Sequence, residues 1–237
     1  MSDNKIFPDP NQTRERIEGM PEETQEDLIF KNGFRYLYLI AGRISELVGK
    51  YAPKGTDPQL KNIDGNKVVL FPIRTARRKG GWRPVVLPYS KKYEELTEPV
   101  YDWFQQFGAN NPFDLGRFSN AKKKHYTRYF QWKAEKVFKD HLWRRESYVR
   151  NGEVEDEENK EFRLMWLRDQ RIRELRDVYN FYGEEIRVYT GLTIKQFDRI
   201  KRVISPFPNE PLETPNYNQL LDMASGYLEK LLVERNV

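Results

Sequence analysis

The chain has 237 residues, with 41 Lys+Arg against 36 Asp+Glu and 38% hydrophobic residues, enough for one large core or two small ones. It has no cysteine and two histidines, His125 and His141, so disulfides, thiolate nucleophiles and cysteine-ligated metals are excluded and metal chemistry would fall to carboxylates. No apolar run reaches the roughly 18 residues of a membrane span, and the polar N-terminus is unlike a secretory leader, so the expectation is an intracellular chain with no membrane partner.

In chain order, residues 1–21 carry Pro8, Pro10, Gly19 and Pro21 among polar side chains and read as a flexible N-terminal arm. A helix is predicted from about residue 21, with a break at Gly33, to about residue 49, followed by a loop over 51–58. Residues 66–73 and 82–88 are β-rich, and the segment between them is a basic tip closing on Gly80-Gly81, so a hairpin is predicted. Pro72, Pro84 and Pro88 predict edge strands, because proline cannot donate to a ladder. Residues 91–107 carry Tyr93, Leu96, Val100, Trp103, Phe104 and Phe107 at helical spacing. One long helix or two are predicted over 119–149, with an apolar face inward and a basic face outward. Asn151-Gly152 and an acidic run close this region. Helical patterns resume over 160–181, 184–190 and 194–204, a proline-rich linker follows at 205–215, and a last amphipathic helix is predicted over 217–235. The fold class expected is mainly α with a small β-hairpin or three-stranded sheet. The expected domains are the arm (1–21), one main domain (22–204) and the linker with its C-terminal helix (205–237).

Charge is unevenly spread. Residues 117–150 hold eleven Lys/Arg against three acids, whereas residues 151–162 hold six acids and one lysine. A polyanionic partner is expected on the basic part.

Gly42-Arg43-Ile44-Ser45-Glu46-Leu47 closes the apolar run 34–41 with an arginine that a helical pattern would leave exposed. It resembles the first arginine box of the tyrosine recombinase (phage integrase, Xer-like) family, in which a buried helix brings an arginine to the scissile phosphate; a guanidinium fork suits two phosphate oxygens at once. The basic hairpin is similar to the one on which that family carries the lysine that protonates the leaving 5′ oxygen. Lys79 is the first choice for it and Lys67 the second, since an arginine could hold phosphate but not shed a proton. Met165-Trp166-Leu167-Arg168 followed by Gly191 resembles the family's His-x-Leu-Arg box and its following glycine. Arg168, 125 residues after Arg43, is then the second phosphate clamp. Met165 and Leu192 stand where the family has its histidine and second His/Trp. Phe197 is the only aromatic residue over 192–205, so the nucleophilic phenol is missing there, and Tyr217 is the nearest later tyrosine. His141-Leu142-Trp143-Arg144 and Arg173-Glu174-Leu175-Arg176 are rival placements of the second box, each equally readable as a solvated basic helix face.

The resemblance covers residues 24–204 and implies a catalytic-domain fold without the family's separate core-binding domain. The resulting expectation is a tyrosine-recombinase-like protein that binds double-stranded DNA without cutting it, in the cytoplasm on nucleoid, viral or plasmid DNA, with no cofactor. Arg74, Arg77, Arg78, Lys79, Arg83, Lys122, Lys123, Lys124 and Arg128 are the expected phosphate contacts, and a homo-oligomer on DNA is compatible with this. The alternatives are an active integrase or resolvase using Arg43, Lys79, Arg168 and Tyr217, and a helical scaffold whose basic face only keeps it in solution.

Overall fold

The computed structural model describes residues 5–6, 10–74, 81–116, 123–138, 144–145, 148–150, 153–155, 164–191 and 217–232. Strand β1 (Lys5–Ile6) precedes helix α1 (Pro10–Glu18), so the arm expected over 1–21 is a helix from Pro10 onward. Proline suits a first helical turn, where its missing N–H costs nothing. Thr13, Arg14 and Ile17 turn inward from it, and the sequence hides this face because two of the three are polar.

Helix α2 (Gln25–Leu39) is capped by Thr24, whose hydroxyl accepts the Asp27 N–H at 3.1 Å. All eleven residues from 29 to 39 are buried, which makes it the central helix of the fold. The expected break at Gly33 does not occur. A Cβ there would stand 2.8 Å from Cζ of Phe130, so the glycine serves close packing and not a bend. The expected continuation to residue 49 fails for a local reason. After Leu39 the chain makes a Schellman turn, in which the Ala41 N–H donates to Tyr38 O at 3.0 Å and the Gly42 N–H to Leu37 O at 2.7 Å, with Ala41 in the left-handed region at φ +46°. Arg43 therefore stands outside the helix, extended, at the head of a 3-10 turn, Ile44–Glu46.

Strands β2 (Gln59–Ile63), β3 (Asn66–Arg74) and β4 (Trp82–Pro88) form an antiparallel sheet in that order. The sequence expectation lacked β2, although Asp64-Gly65 carries its signal: both residues take positive φ, +50° and +82°, as a two-residue hairpin loop requires. Pro72 lies in the middle strand, against the edge position expected. It is tolerated because β2 pairs with β3 only as far as Leu70, leaving Pro72 with β4 alone. Pro84 and Pro88 do lie on an edge strand.

Helix α3 (Thr97–Gln105) is shorter than the predicted 91–107, and buries Val100, Trp103 and Phe104. Helix α4 (Lys123–Val137) has Tyr126, Phe130 and Ala134 inside and Arg128 and Lys136 outside, the expected division, but Trp132, counted with the apolar face in the sequence, lies outside as well. It does not continue to 149. Short strands β5 (Arg144–Arg145), β6 (Tyr148–Arg150) and β7 (Glu153–Glu155) follow, β5 pairing with β1 and β6 with β7. The sequence between β6 and β7 is Asn151-Gly152, a hairpin signal read above only as a helix stop. Helices α5 (Met165–Asp177), α6 (Gly183–Thr190) and α7 (Tyr217–Leu231) complete the described chain, giving a mainly helical fold with one small three-stranded sheet. The pattern expected over 194–204 and the linker over 205–215 lie outside the described residues.

Both faces of the sheet are covered. Phe71 meets Tyr36 of α2 and Phe104 of α3, while α6 and α7 pack along β4. Helix α7 thus belongs to the same core as α2, the sheet and α6, through Leu220, Ala224, Tyr227, Leu228 and Leu231. Its Tyr227 hydroxyl donates to Pro84 O and accepts the Val86 N–H, both at 3.2 Å, and so takes the place of a further strand on the edge of β4.

A second set of polar groups is buried between α1, α2 and α5. Arg14 forks onto Glu94, with its longer bond at 2.9 Å, and reaches Glu174 at 3.0 Å. Arg171 bridges the same two carboxylates, and the Tyr38 hydroxyl donates to Glu174 at 3.0 Å. Two guanidinium groups face two carboxylates. Burial pushes Glu94 up, but Arg14 and Arg171 outweigh it and hold the carboxyl below its ordinary value of 4.5.

Two expectations follow. Tyr227→Phe leaves the Val86 N–H without its acceptor and should cost about 1–3 kcal/mol in urea unfolding. Because the Glu94 pKa is depressed in the folded state, its contribution is complete above pH 4.5 and drains as the pH falls below it. Unfolding free energy measured from pH 7 to pH 3 should therefore fall, and Glu94→Gln should start lower and fall less.

Candidate functional site

The Schellman turn after α2 sets the site. It places Arg43 and Glu46 at two ends of one 3-10 turn, where the Glu46 carboxylate reaches back to accept the Arg43 backbone N–H at 3.0 Å. Glu46 is 1% exposed, and its carboxylate also lies 3.6 Å from the Arg43 guanidinium. From β4, Arg83 donates to the same carboxylate at 3.0 Å, to Ile40 O at 2.9 Å and to Tyr189 O. From α5, Arg168 donates to Thr190 O at 3.0 Å. Two guanidinium groups thus hold one buried carboxylate, and Arg168, from a third part of the chain, lies near enough to feel the charges of all three groups.

Their mutual effect falls on Arg168. Burial, then the Arg43 and Arg83 charges, pull its pKa down to about 9, with Glu46 and Asp169 opposing. It keeps its proton at neutral pH and bears the cost as unmatched charge. Its Nη1 has no hydrogen-bond acceptor among the described residues. A buried arginine donor without an acceptor, beside two further cations, is a place that favours an anion.

The expected site residues fare unequally. Arg43 and Arg168 come together, and Arg43, half-buried, is the more open of the two. Arg83 is not a surface phosphate contact: it is 0% exposed, its fork taken by two carbonyls and Glu46. The strand that carries it, Trp82-Arg83-Pro84-Val85-Val86-Leu87-Pro88, is apolar almost throughout, which is the signal that both of its faces are covered and that an arginine in it is buried with partners. Arg74 closes β3 half-buried, 5.8 Å from the ring centres of both Tyr51 and Trp82, and Lys67 is exposed on β3. Arg128 is exposed on α4, which also carries Lys123 and Lys124. Arg77, Arg78, Lys79 and Lys122 lie outside the described residues, as do Leu192, Phe197 and His141.

Met165, at the place of the family histidine, is 59% exposed and turned to solvent. The rival box at 173–176 does not form a site: Arg173 and Arg176 pair on the surface with Asp177, while Glu174 is buried in the Arg14 network. Gly191 ends α6 in the left-handed conformation at φ +62°, its N–H on Arg187 O. The Tyr217 hydroxyl donates to Asp57 O at 3.2 Å. Burial and Asp57 raise its pKa, with Gln59 opposing. Glu46 is the functional residue whose role was least legible; its place three residues after Arg43 is the only sequence signal.

No protein-family model, no curated protein and no solved structure matches this chain.

Glu46→Gln would leave the arginines of the cluster without their buried counter-charge. It should lower the unfolding free energy by about 3–5 kcal/mol in chemical denaturation, and added inorganic phosphate should recover part of the loss.

Proposed function

We propose that the chain is a duplex-DNA-binding protein with a tyrosine-recombinase-like arrangement of phosphate-gripping arginines and without strand-cleavage activity. The observation that carries this reading is the approach of Arg168 to Arg43 and its partner Glu46, across 125 residues of sequence, with an Arg168 donor left over. Arg43 takes the phosphate at the open side, and Arg168 adds charge from beneath it. Arg83 holds the group together without touching DNA. Cleavage would need a phenol in line with the leaving oxygen and a proton donor beside it. Met165 faces solvent, and the Tyr217 hydroxyl is bound to Asp57 O. Both observations favour binding over cutting.

The test is titration of a labelled duplex at stepped salt concentrations, with supercoiled DNA assayed in parallel for a covalent protein adduct. Binding should weaken steeply with salt, with a log–log slope of about −0.9 for each phosphate neutralised. Arg43→Gln should reduce affinity and leave the melting curve in place, and no adduct should form. Salt-independent binding, or an Arg43→Gln protein that binds as tightly as the wild type, would overturn the phosphate grip. An adduct that disappears in Tyr217→Phe would overturn the absence of cleavage.

A further inference from the structure

The outward stripe of α4 has a composition of its own. His125, Arg128, Trp132 and Lys136 are exposed there, with Trp132 keeping 43% of its surface in solvent. The indole is not loose. It stacks on Tyr129 at 5.5 Å between ring centres and 15° between planes, and Tyr129 is fixed in turn by its hydroxyl on Glu26 and its contact with Phe30 at 5.3 Å. Lys136 holds its ammonium 3.7 Å from the centre of the Trp132 ring. Arg128 lies one turn away on the other side. Successive members of the series Arg128, Trp132, Lys136 are four residues apart, so about 6 Å along the axis.

Acids are kept off this stripe. Glu135, the only acid in α4, is held by Gln131 at 2.8 Å, and the facing Glu26 and Asp27 of α2 lie within 3.9 Å of Lys133. Trp132 is therefore a pre-set aromatic shelf, backed on one face by Tyr129 and covered on the other by the Lys136 ammonium, with Arg128 one turn away. A base that replaces the ammonium on the indole face, with Lys136 swung out to one adjacent phosphate and Arg128 on the other, matches that order. In a duplex each base is already stacked between its neighbours and has no face to offer, whereas an unpaired base does.

We infer that this face of α4 binds single-stranded nucleic acid, with one unpaired base stacked on Trp132 and the flanking phosphates taken by Arg128 and Lys136. The inference rests on the proposed function only in taking nucleic acid as the polyanion; Arg43 and Arg168 have no part in it.

The experiment uses the full chain, a labelled oligothymidylate, a labelled mixed-sequence duplex, heparin as a polyanion without bases, and anionic lipid vesicles. Trp132→Ala should weaken oligothymidylate binding about 5- to 100-fold, with the melting curve, duplex binding and heparin binding unchanged. Trp132→Phe should restore most of the affinity. Arg43→Gln should do the reverse of Trp132→Ala, weakening the duplex and sparing the oligothymidylate. If Arg43→Gln leaves duplex binding intact while Trp132→Ala still abolishes oligothymidylate binding, the duplex grip fails and this inference stands. A Trp132→Ala protein that binds oligothymidylate like the wild type overturns it. So does an equal loss of heparin binding, which would mean charge alone, or binding of vesicles in place of oligothymidylate.

Discussion

The arginine at position 83 is the interaction on which the rest of the structure depends. The last carbonyls of a helix have no partner within it, and a helix that ends inside a protein must find one. Here α2 and α6 both end inside. One guanidinium, fully buried, serves Ile40 O beyond the end of α2 and Tyr189 O at the end of α6, and uses its remaining reach on Glu46. The positive charge also suits the negative end of each helix dipole. An arginine is suited to this because its donors form a rigid planar fork, whereas a lysine would offer a single point. The sheet, the central helix and α6 are thereby tied to one another.

Helix α5 shows how charge balance separates structure from function in this molecule. Arg168 and Arg171 are three residues apart on the same helix and both are buried, yet they enter different surroundings. Arg171 joins a set with two guanidinium groups and two carboxylates, further tied by the Tyr38 and Tyr189 hydroxyls. That set is balanced in charge, with Glu95 a further 3.5 Å from Arg14, although the Arg171 Nε has no hydrogen-bond acceptor among the described residues. Arg168 instead feels two further guanidinium groups, Arg43 and Arg83, and one buried carboxylate, so what sets it apart from Arg171 is charge and not its unused donor. Burying a charge costs several kcal/mol unless it is paired. A cluster left unpaired in this way is the one that gains by taking up an anion, and a matched one is not.

Periodic, strongly apolar segments were legible in the sequence: the hairpin of β3 and β4, the last amphipathic helix, and the inward and outward faces of α4. What escaped was decided by long-range polar contacts. Helix α1 looks like a polar arm because two of its inward residues, Thr13 and Arg14, find their partners far along the chain, at positions 170, 94 and 174. The end of α2 depends on an alanine in a left-handed conformation, which composition does not announce. In the candidate site, Arg43 and Arg168 could be named from spacing. Arg83 was placed on the wrong side of the surface, since a basic residue next to a basic loop reads as more of the loop until the strand around it is seen to be covered on both faces.

The two surfaces differ in how their charges are held, and that difference bears on what each can take. Around Glu46 the guanidinium groups are fixed by backbone carbonyls and a carboxylate, so little side-chain order remains to be lost when an anion arrives. Such a site suits a ligand whose phosphates are themselves fixed, as they are on a duplex. On α4 the aromatic shelf is rigid but its cations, Arg128 beside it and Lys136 over the indole, stand on long side chains in solvent. Those side chains can follow an irregular backbone, at an entropic cost for each one immobilised. A rigid grip and an adaptable one on the same chain are thus suited to ordered and disordered stretches of one polymer, and the proposed division between duplex and single strand follows from this contrast in preorganisation more than from any difference in net charge.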